Sequence, residues 1–202
     1  MARTNVIAAD LRGRPGAGGR AMRPLRICRR LPVLVSILIT TAVLAPAQSA
    51  SATIPWHHQR LKEHRWAHAV YTLINKERSR HGLRPLNGRY TLHRSSRRHD
   101  YRMAKANELS HQLPGEADLA TRIVYWGYKP WCYLGENIGS NNDISSDGVL
   151  HLEKRMYREK PPDDGHRRNI LSKNYRHVGI DVWIDKFHGK VWLTEHFGKH
   201  HC

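Results

Sequence analysis

Two short segments of this sequence each place an ionisable side chain beside a glycine and directly ahead of apolar residues. Residues 135–138 read GENI and contain Glu136, and residues 165–171 read GHRRNIL and contain His166. His111 lies upstream of both segments, and Glu159 lies between them. Two histidines and two carboxylates can bind a divalent cation or exchange protons with a substrate. The sequence therefore predicts a polar site built from these four residues, without specifying a reaction.

The same residues also suit a structural role, in which Glu136 caps backbone amides, His166 donates to a carbonyl, and no metal is present. A second set of candidate ligands, with donor types suited to zinc or copper, stands at the end of the chain: His196, His200, His201 and Cys202. The sequence contains no Gly-x-Ser-x-Gly, no His-Glu-x-x-His and no phosphate-binding loop. This weakens enzyme interpretations in general.

Aromatic side chains precede the first segment. Trp126, Tyr128, Trp131 and Tyr133 could line an apolar groove for a lipid or a glycan. Ordinary packing in the core and loops is the alternative.

The N-terminal part has the composition of an export signal. A basic stretch ending at Arg30 precedes the apolar residues 31–45, which are too few to span a bilayer comfortably, and the triplet ASA follows at residues 50–52. We interpret residues 1–52 as a secretory signal peptide, with Met22 as an alternative start. The mature chain is then extracellular, has no transmembrane anchor, and is long enough for one domain.

The chain is strongly basic. Its 34 lysines and arginines against 17 aspartates and glutamates give a formal net charge of +17, and 15 histidines add positive charge in mild acid. The basic residues are scattered, as on many soluble secreted surfaces, and attraction to anionic cell-wall polymers or lipid headgroups is the functional alternative. No nucleic-acid-binding module occurs, so specific nucleic-acid recognition is not expected.

Cysteine usage fits an oxidising compartment. Cys28 leaves with the predicted leader, and Cys132 and Cys202 remain. An even pair in an exported chain suggests one disulfide, whereas two free thiols or a Cys202 bond between chains are the alternatives.

Hydrophobic periodicity predicts helices first and a hairpin last. Helices are expected at residues 66–80, 90–109, 116–126 and 146–160, residues 128–142 are expected to be irregular, and strict alternation predicts a hairpin of residues 178–184 and 190–197. His99 lies on the inward stripe of the second helix, where we expect a hydrogen-bonded core residue. This order predicts an α+β fold with helices packed on a small antiparallel sheet.

Further motifs occur in a characteristic order: NKER at 75–78, GLRPL at 82–86, LSHQLPGE at 109–116, GENI, Glu159, GHRRNIL, VGI at 178–180 and WLTEHFG at 192–198. In this order and spacing the chain resembles the CAP superfamily, which comprises SCP-like, cysteine-rich secretory, antigen 5 and pathogenesis-related-1 proteins, and within it the short secreted bacterial branch. The resemblance covers residues 67–198. It leaves residues 53–66 as an N-terminal extension and 199–202 as a tail of histidine and cysteine.

The resemblance implies a three-layer α-β-α sandwich with a surface cleft that contains two histidines and two glutamates. Matched motif by motif, the cleft tetrad is His111, Glu136, Glu159 and His166. The loop before His166 varies in length in such proteins, so three other residues are alternatives for the second acid: Glu153, Asp163 and Asp164. His111 and His166 would be the ligands of zinc or another divalent cation, and the glutamates would hydrogen-bond or activate water.

Three classes of function follow. Members of this family are mostly described as binding modules, so the first expectation is a secreted protein whose cleft binds a divalent metal and a lipid, sterol or cell-envelope ligand. The second is a metal-assisted hydrolase of peptide or peptidoglycan, with Glu136 or Glu159 as general base. The third is a basic wall-adhesion protein without a metal site. Binding is expected over catalysis, and the sequence does not determine the oligomeric state.

Overall fold

The structure is a computed structural model that describes residues 3–7 and 55–201, with the backbone alone for residues 3–7 and 55–57. The chain divides into two compact units, one formed by residues 1–13 with 54–202 and the other by residues 14–53. The second unit lies outside the described residues. Of the leader predicted at residues 1–52, the structure describes residues 3–7 alone, so the leader stays a prediction.

Five helices and five strands are found in the described part of the chain. The helices are α1 (Pro55–Arg80), α2 (Tyr90–Ala106), α3 (Leu119–Tyr125), α4 (Ser146–Tyr157) and α5 (Gly165–Ile170). The strands are β1 (Arg3–Ile7), β2 (Asn87–Gly88), β3 (Tyr133–Asn141), β4 (His177–Asp185) and β5 (Lys190–Lys199). Within residues 3–7 and 55–201, no helix is long and apolar enough to cross a membrane.

The strands form one sheet in the order β1-β3-β5-β4-β2. β3 is antiparallel to both β1 and β5, β4 is antiparallel to β5, and the short β2 joins β4 in parallel. The register between β3 and β5 places Glu136 opposite His196, and Asn137 opposite Glu195. The hairpin expected from alternation is confirmed as β4 and β5.

Apolar side chains pack helices against both faces of the sheet. On one face, α1, α4 and α5 cover β4 and β5 through the largest cluster, which includes Ile74, Leu152 and Leu193. On the other face, α2 contributes Leu92 and Met103 to two smaller clusters. This arrangement confirms the three-layer α-β-α sandwich.

Helix α2 lies close to β4 because residue 179 is a glycine. A β-carbon at this position would lie 2.1 Å from the backbone nitrogen of His93 and 2.3 Å from the backbone carbon of Leu92. The hydroxyl of Ser96 also donates to the carbonyl of Gly179 at 2.8 Å. The helix is therefore held directly against the strand, and this contact fixes the position of His99 over the sheet.

Several helix boundaries differ from the sequence-based expectations. α1 begins at Pro55, so most of the expected extension at residues 53–66 is helical. The first turns of α1 have no apolar stripe that would predict a helix. A polar contact holds this part of the helix to the sheet instead, since Oε1 of the buried Glu63 accepts from the backbone N–H of Ile184 at 3.1 Å. α3 begins only after Asp118, which caps the helix by accepting from the backbone N–H of Thr121 at 2.9 Å. α2 and α4 each end about one turn earlier than expected.

The expectation that residues 128–142 are irregular was wrong, because they contain β3. The strand has no apolar alternation to reveal it, since its buried residues include Glu136 and Asn137. Its glycines are required by close packing: a β-carbon at Gly135 would lie 2.2 Å from the hydroxyl of Tyr175, and one at Gly139 would lie 2.8 Å from Met156. These glycines, which predicted a loop, instead make room for neighbouring side chains.

Candidate functional site

The first half of the predicted tetrad is a buried histidine–carboxylate pair. His111 lies in the loop after α2, and Glu136 lies on β3 on the face covered by α2. Nδ1 of His111 is 2.7 Å from Oε1 of Glu136, with the side chains 8% and 1% exposed. In the described part of the chain, the buried Nε2 of His111 has no hydrogen-bond partner. This pairing favours the proton on Nδ1 and leaves the lone pair on Nε2.

Glu136 contacts further nitrogen groups. Its Oε2 accepts from Nη2 of Arg122 at 2.7 Å, lies 2.7 Å from Nε2 of His196, and lies 3.8 Å from Nε2 of His99. Burial acts to raise the pKa of Glu136, but the charges of His99 and Arg122 and the hydrogen bonds from His111 and His196 outweigh it. They hold the pKa of the carboxyl well below its ordinary value. Glu136 is therefore ionised.

The groups around Glu136 form a continuous network. Burial lowers the pKa of His196 to about 4, so this imidazole is neutral and donates from Nε2. His99 is fully buried and contacts both Arg122 and Oε1 of Glu116, the latter at 3.1 Å. Burial opposes ionisation of Glu116 too, but His99 and Arg122 lower its pKa. His99 is thus the hydrogen-bonded core residue that its inward position predicted.

The second half of the tetrad is His166 with Glu159. His166 lies in the first turn of α5, and Glu159 lies in the loop that precedes this helix. Oε1 of Glu159 is 2.5 Å from Nδ1 of His166, and its Oε2 accepts from the backbone N–H of His166 at 3.0 Å. The imidazole is 1% exposed and the carboxylate 18%. Glu159 therefore binds His166 through both of its oxygens, one at the ring and one at the backbone, while remaining partly exposed to solvent.

The three alternative acids occupy other positions. Asp163 is exposed, and Asp164 pairs with Arg168 at 3.2 Å. Glu153 is fully buried, and burial together with the neighbouring Glu195 raises its pKa well above the ordinary value. The geometry thus pairs Glu159, not these residues, with His166.

Two asparagines join the halves of the tetrad across β3. The side-chain amide of Asn169 on α5 donates to the carbonyl of Glu136 at 3.3 Å and to Oδ1 of Asn137 at 2.8 Å. The amide of Asn137 in turn donates to the carbonyl of His166 at 3.4 Å and to Oε2 of Glu195 at 3.0 Å. Each half is therefore tied to the same two-residue segment of β3.

A pair of buried carboxyl groups lies behind this link. Burial raises the pKa values of both Glu153 and Glu195. Two buried carboxyl groups in contact share a proton because both cannot be ionised. The amide of Asn137 thus has an acceptor on the protein side and remains fixed toward His166.

The arrangement suits imidazole ligation of a metal. Each histidine of the tetrad directs Nδ1 to a carboxylate, which is how the outer contacts of metal-binding histidines are commonly arranged. The two glutamates are already used as acceptors and orient the rings. Among residues 3–7 and 55–201, no group of three or more histidine, cysteine, aspartate or glutamate side chains could hold a metal ion. A cation held by His111 and His166 would therefore take its other ligands from water or from a bound molecule.

The candidate cluster at the chain end is not assembled in the described residues. His196 points to Glu136 inside the domain, whereas His200 stacks on Tyr128 with ring centroids 4.1 Å apart. His201 is exposed, and Cys202 lies outside the described residues. The predicted Cys132–Cys202 pairing therefore stays a prediction.

The four aromatic residues before Gly135 do not line one groove. Tyr128 is buried in a core cluster against which Trp131 packs, and Tyr133 packs against the large cluster on the other face. Trp126 lies against Arg94 of α2. Ordinary core packing, the alternative to an apolar groove, therefore accounts for Tyr128, Trp131 and Tyr133.

Sequence reasoning missed Arg122, Asn137 and Asn169 as members of the site, and it assigned His196 to the chain-end set instead. The alternation of β5 does place His196 on the same face as Trp192 and Thr194. Its partner Glu136 could not be recognised, because β3 was not predicted as a strand.

Comparisons with known proteins agree with this fold. A sequence model described as "CAP: Cysteine-rich secretory protein family" matches residues 71–197. The chain is 30% identical over 132 residues to "Uncharacterized protein YkwD" of Bacillus subtilis, a match that covers 64% of this chain and 46% of that protein. The chain thus spans less than half the length of this relative.

Three solved structures have a similar fold. An extracellular protein containing an SCP domain from Bacillus anthracis superposes with a TM-score of 0.60 at 23% identity, covering 79% of this chain and 45% of that one. An outer surface protein of Borrelia burgdorferi superposes with a TM-score of 0.56 at 16% identity, covering 67% of this chain and 92% of that one. A cysteine-rich secretory protein of Staphylococcus aureus superposes with a TM-score of 0.52 at 19% identity, covering 68% of this chain and 39% of that one.

The family match spans more than half of the chain and includes His111, Glu136, Glu159 and His166. The three-layer fold is also that of the SCP-domain structure from Bacillus anthracis. This chain belongs to the CAP family of cysteine-rich secretory proteins.

Proposed function

We propose that this chain is an extracellular binding protein whose cleft holds a divalent cation between His111 and His166. The observation that carries the proposal is the matched pairing of the two imidazoles, with Nδ1 of His111 at 2.7 Å from Glu136 and Nδ1 of His166 at 2.5 Å from Glu159. Such pairing fixes the tautomer and the orientation of a metal-binding imidazole. Zinc is the favoured ion because neutral imidazole binds it well.

The cation would also form part of a ligand site. With two protein ligands, a tetrahedral zinc keeps two positions for water or for oxygen atoms of a bound molecule. A lipid, sterol or cell-envelope molecule with a polar head could occupy them. The hydrolase alternative needs Glu136 or Glu159 as general base, yet both carboxylates already accept hydrogen bonds from imidazoles.

Zinc titration by calorimetry tests the cation site. We expect the full chain to take up one equivalent, and His111→Ala combined with His166→Ala to abolish this uptake. A matched control combines His68→Ala with His151→Ala, two exposed histidines on α1 and α4, and should bind zinc as the parent does. Circular dichroism verifies that each variant is folded.

Two results would contradict the cleft assignment. One is unchanged uptake by the folded double variant. The other is loss of uptake when only residues 200–202 are deleted, which would move the site to the chain end.

The extracellular location also concerns the cysteines. The similar solved structures are of extracellular or surface proteins, and an oxidising compartment permits disulfides. The backbone N–H of Cys132 donates to the carbonyl of Lys199 at 2.9 Å, so Cys132 lies beside the end of β5. This contact supports a Cys132–Cys202 bond as part of the proposal.

A further inference from the structure

A row of three arginines follows the outer side of α2. Arg94, Arg98 and Arg102 are spaced four residues apart, so successive side chains start about 6 Å apart along the helix axis. Arg94 and Arg98 are exposed, and Arg102 is half-buried. Like charges at this spacing destabilise a helix in isolation. An anion bound along the row would remove that repulsion.

The first two arginines have no acidic partner. Among the ion pairs of the described residues, none involves Arg94 or Arg98. Arg102 differs, since its Nε is 3.4 Å from Oε1 of Glu116 and its Nη2 donates to the carbonyl of Pro114. The uncompensated positive charge therefore lies on Arg94 and Arg98.

Aromatic rings hold these guanidinium groups in place. Arg94 lies over Trp126 at 4.2 Å from the ring centroid, and Arg98 lies over Tyr101 at 5.3 Å. A guanidinium over an aromatic face is attracted to the ring and keeps N–H groups that can donate to oxygen atoms. Each contact restricts the side chain, which reduces the entropy cost of binding an anion.

Two shallow cavities border the row. One of about 420 Å³ extends from Arg98 toward Glu116 and Arg122, and the other, of about 370 Å³, lies between Arg98 and Trp183. Trp126 contributes to both. Glu116 is the acidic group in the first cavity, and its carboxylate is already paired with Arg122 at 3.3 Å. The cavities provide aromatic surface beside the arginine row, from Trp126 in both and from Tyr101 in the second.

We propose that this face of α2 binds a linear polymer of polyol or sugar units joined by phosphodiesters and without nucleobases. Phosphates contact Arg94 and Arg98, because arginine donates two parallel hydrogen bonds to phosphate oxygens. The units between the phosphates lie in the two cavities, where Trp126 and Tyr101 offer apolar contact. A linear row of charges with a cavity on each side fits an extended chain. The arginines of the row are not members of the His111–His166 cleft, whereas Arg122, which lines the first cavity, pairs with Glu136 of that cleft.

Binding of a synthetic poly(glycerol phosphate) of defined length to the full chain tests the proposal. We expect Arg94→Gln combined with Arg98→Gln to raise the dissociation constant roughly tenfold, as loss of two exposed charge contacts permits. The matched control combines Lys62→Gln with Arg65→Gln, which removes the same charge from the exposed side of α1 and should leave the constant almost unchanged. Arg94→Lys with Arg98→Lys keeps the charge but loses the bidentate geometry, so its affinity should fall between the two.

Three outcomes would overturn the proposal. If Lys62→Gln with Arg65→Gln weakened polymer binding as much as the arginine-row variant, the polymer would be attracted diffusely by the net charge. Equal affinity and variant dependence for a single-stranded DNA of the same charge would mean a nucleic-acid surface, and the same result with phosphatidylglycerol vesicles would mean a membrane surface. The combined His111→Ala and His166→Ala variant should keep polymer binding, so failure of the zinc proposal is distinguishable from failure of this one.

Discussion

Buried carboxyl groups in this protein differ in charge according to their neighbours. Glu136 is surrounded by Arg122 and imidazoles, and its pKa lies well below the ordinary value. Asp100, on the same face of the sheet, faces Asp181 instead, and burial together with this neighbour raises its pKa well above the ordinary value. Burial and nearby Glu63 raise the pKa of Asp181 as well. Glu136 is therefore ionised, while the Asp100–Asp181 pair holds a proton.

The Asp100–Asp181 pair predicts a pH-dependent gain on substitution. Because the folded-state pKa is raised, the stability associated with the protonated pair is complete below the unfolded value near pH 4 and is lost as the pH rises through the folded value. Asparagine at position 100 keeps an acceptor for the hydroxyl of Thr194, which donates to Asp100 at 2.5 Å. We expect Asp100→Asn to raise the free energy of unfolding by about 1–2 kcal/mol at pH 8, with little change at pH 4.

Urea unfolding at the two pH values measures this difference. Asp163→Asn, at an exposed position, removes the same charge outside the core and should show no comparable gain. A loss of stability at pH 8, or an equal gain at both pH values, would contradict the shared proton.

At the scale of elements, the contact between α2 and β4 depends on Gly179. A β-carbon there meets backbone atoms of α2, which cannot rotate away as a side chain can. We expect Gly179→Ala to lower the free energy of unfolding by about 3 kcal/mol, because the helix must move off the sheet. Denaturant unfolding measures the loss. In Gly88→Ala, where no atom lies within 4 Å of the added carbon, stability should change far less, and equal effects would rule out the close contact as the cause.

The elements that could be predicted from the sequence are those whose buried residues are apolar and recur with a helical or strand period. α2, α4, β4 and β5 carry such patterns, and all four were predicted within a few residues. β3 was missed because its inward positions are occupied by glycine, glutamate and asparagine, whose burial depends on partners far away in sequence. For the same reason His111 and His166 were found from their motifs, whereas Arg122 and Asn169, which position the site, were not.

At the scale of the whole molecule, the Cys132–Cys202 bond would close the C-terminal end of the sheet onto the start of β3. We expect peptide mapping without reductant to recover this cross-link. Loss of the bond should destabilise the oxidised protein by at most roughly 4 kcal/mol. Cys132→Ser and Cys202→Ser should therefore each lower the melting temperature by the same amount, with no further decrease when they are combined.

In reductant, the parent protein should melt at the same temperature as the double variant. Additive effects of the two single substitutions would contradict the pairing.

The site spans both faces of a single strand, and this limits how the chain length can vary. The side chain of Glu136 lies on the sheet face covered by α2, and that of Asn137 lies on the face covered by α5. Inserting or deleting one residue between Gly135 and Gly139 would therefore exchange the faces on which these two side chains lie. The carboxylate would then meet α5, and the amide would meet Arg122. The loop between α2 and α3 lies outside the sheet and can change length at residues away from His111. Length differences between functional homologues should therefore occur in such loops and be absent from these five positions of β3.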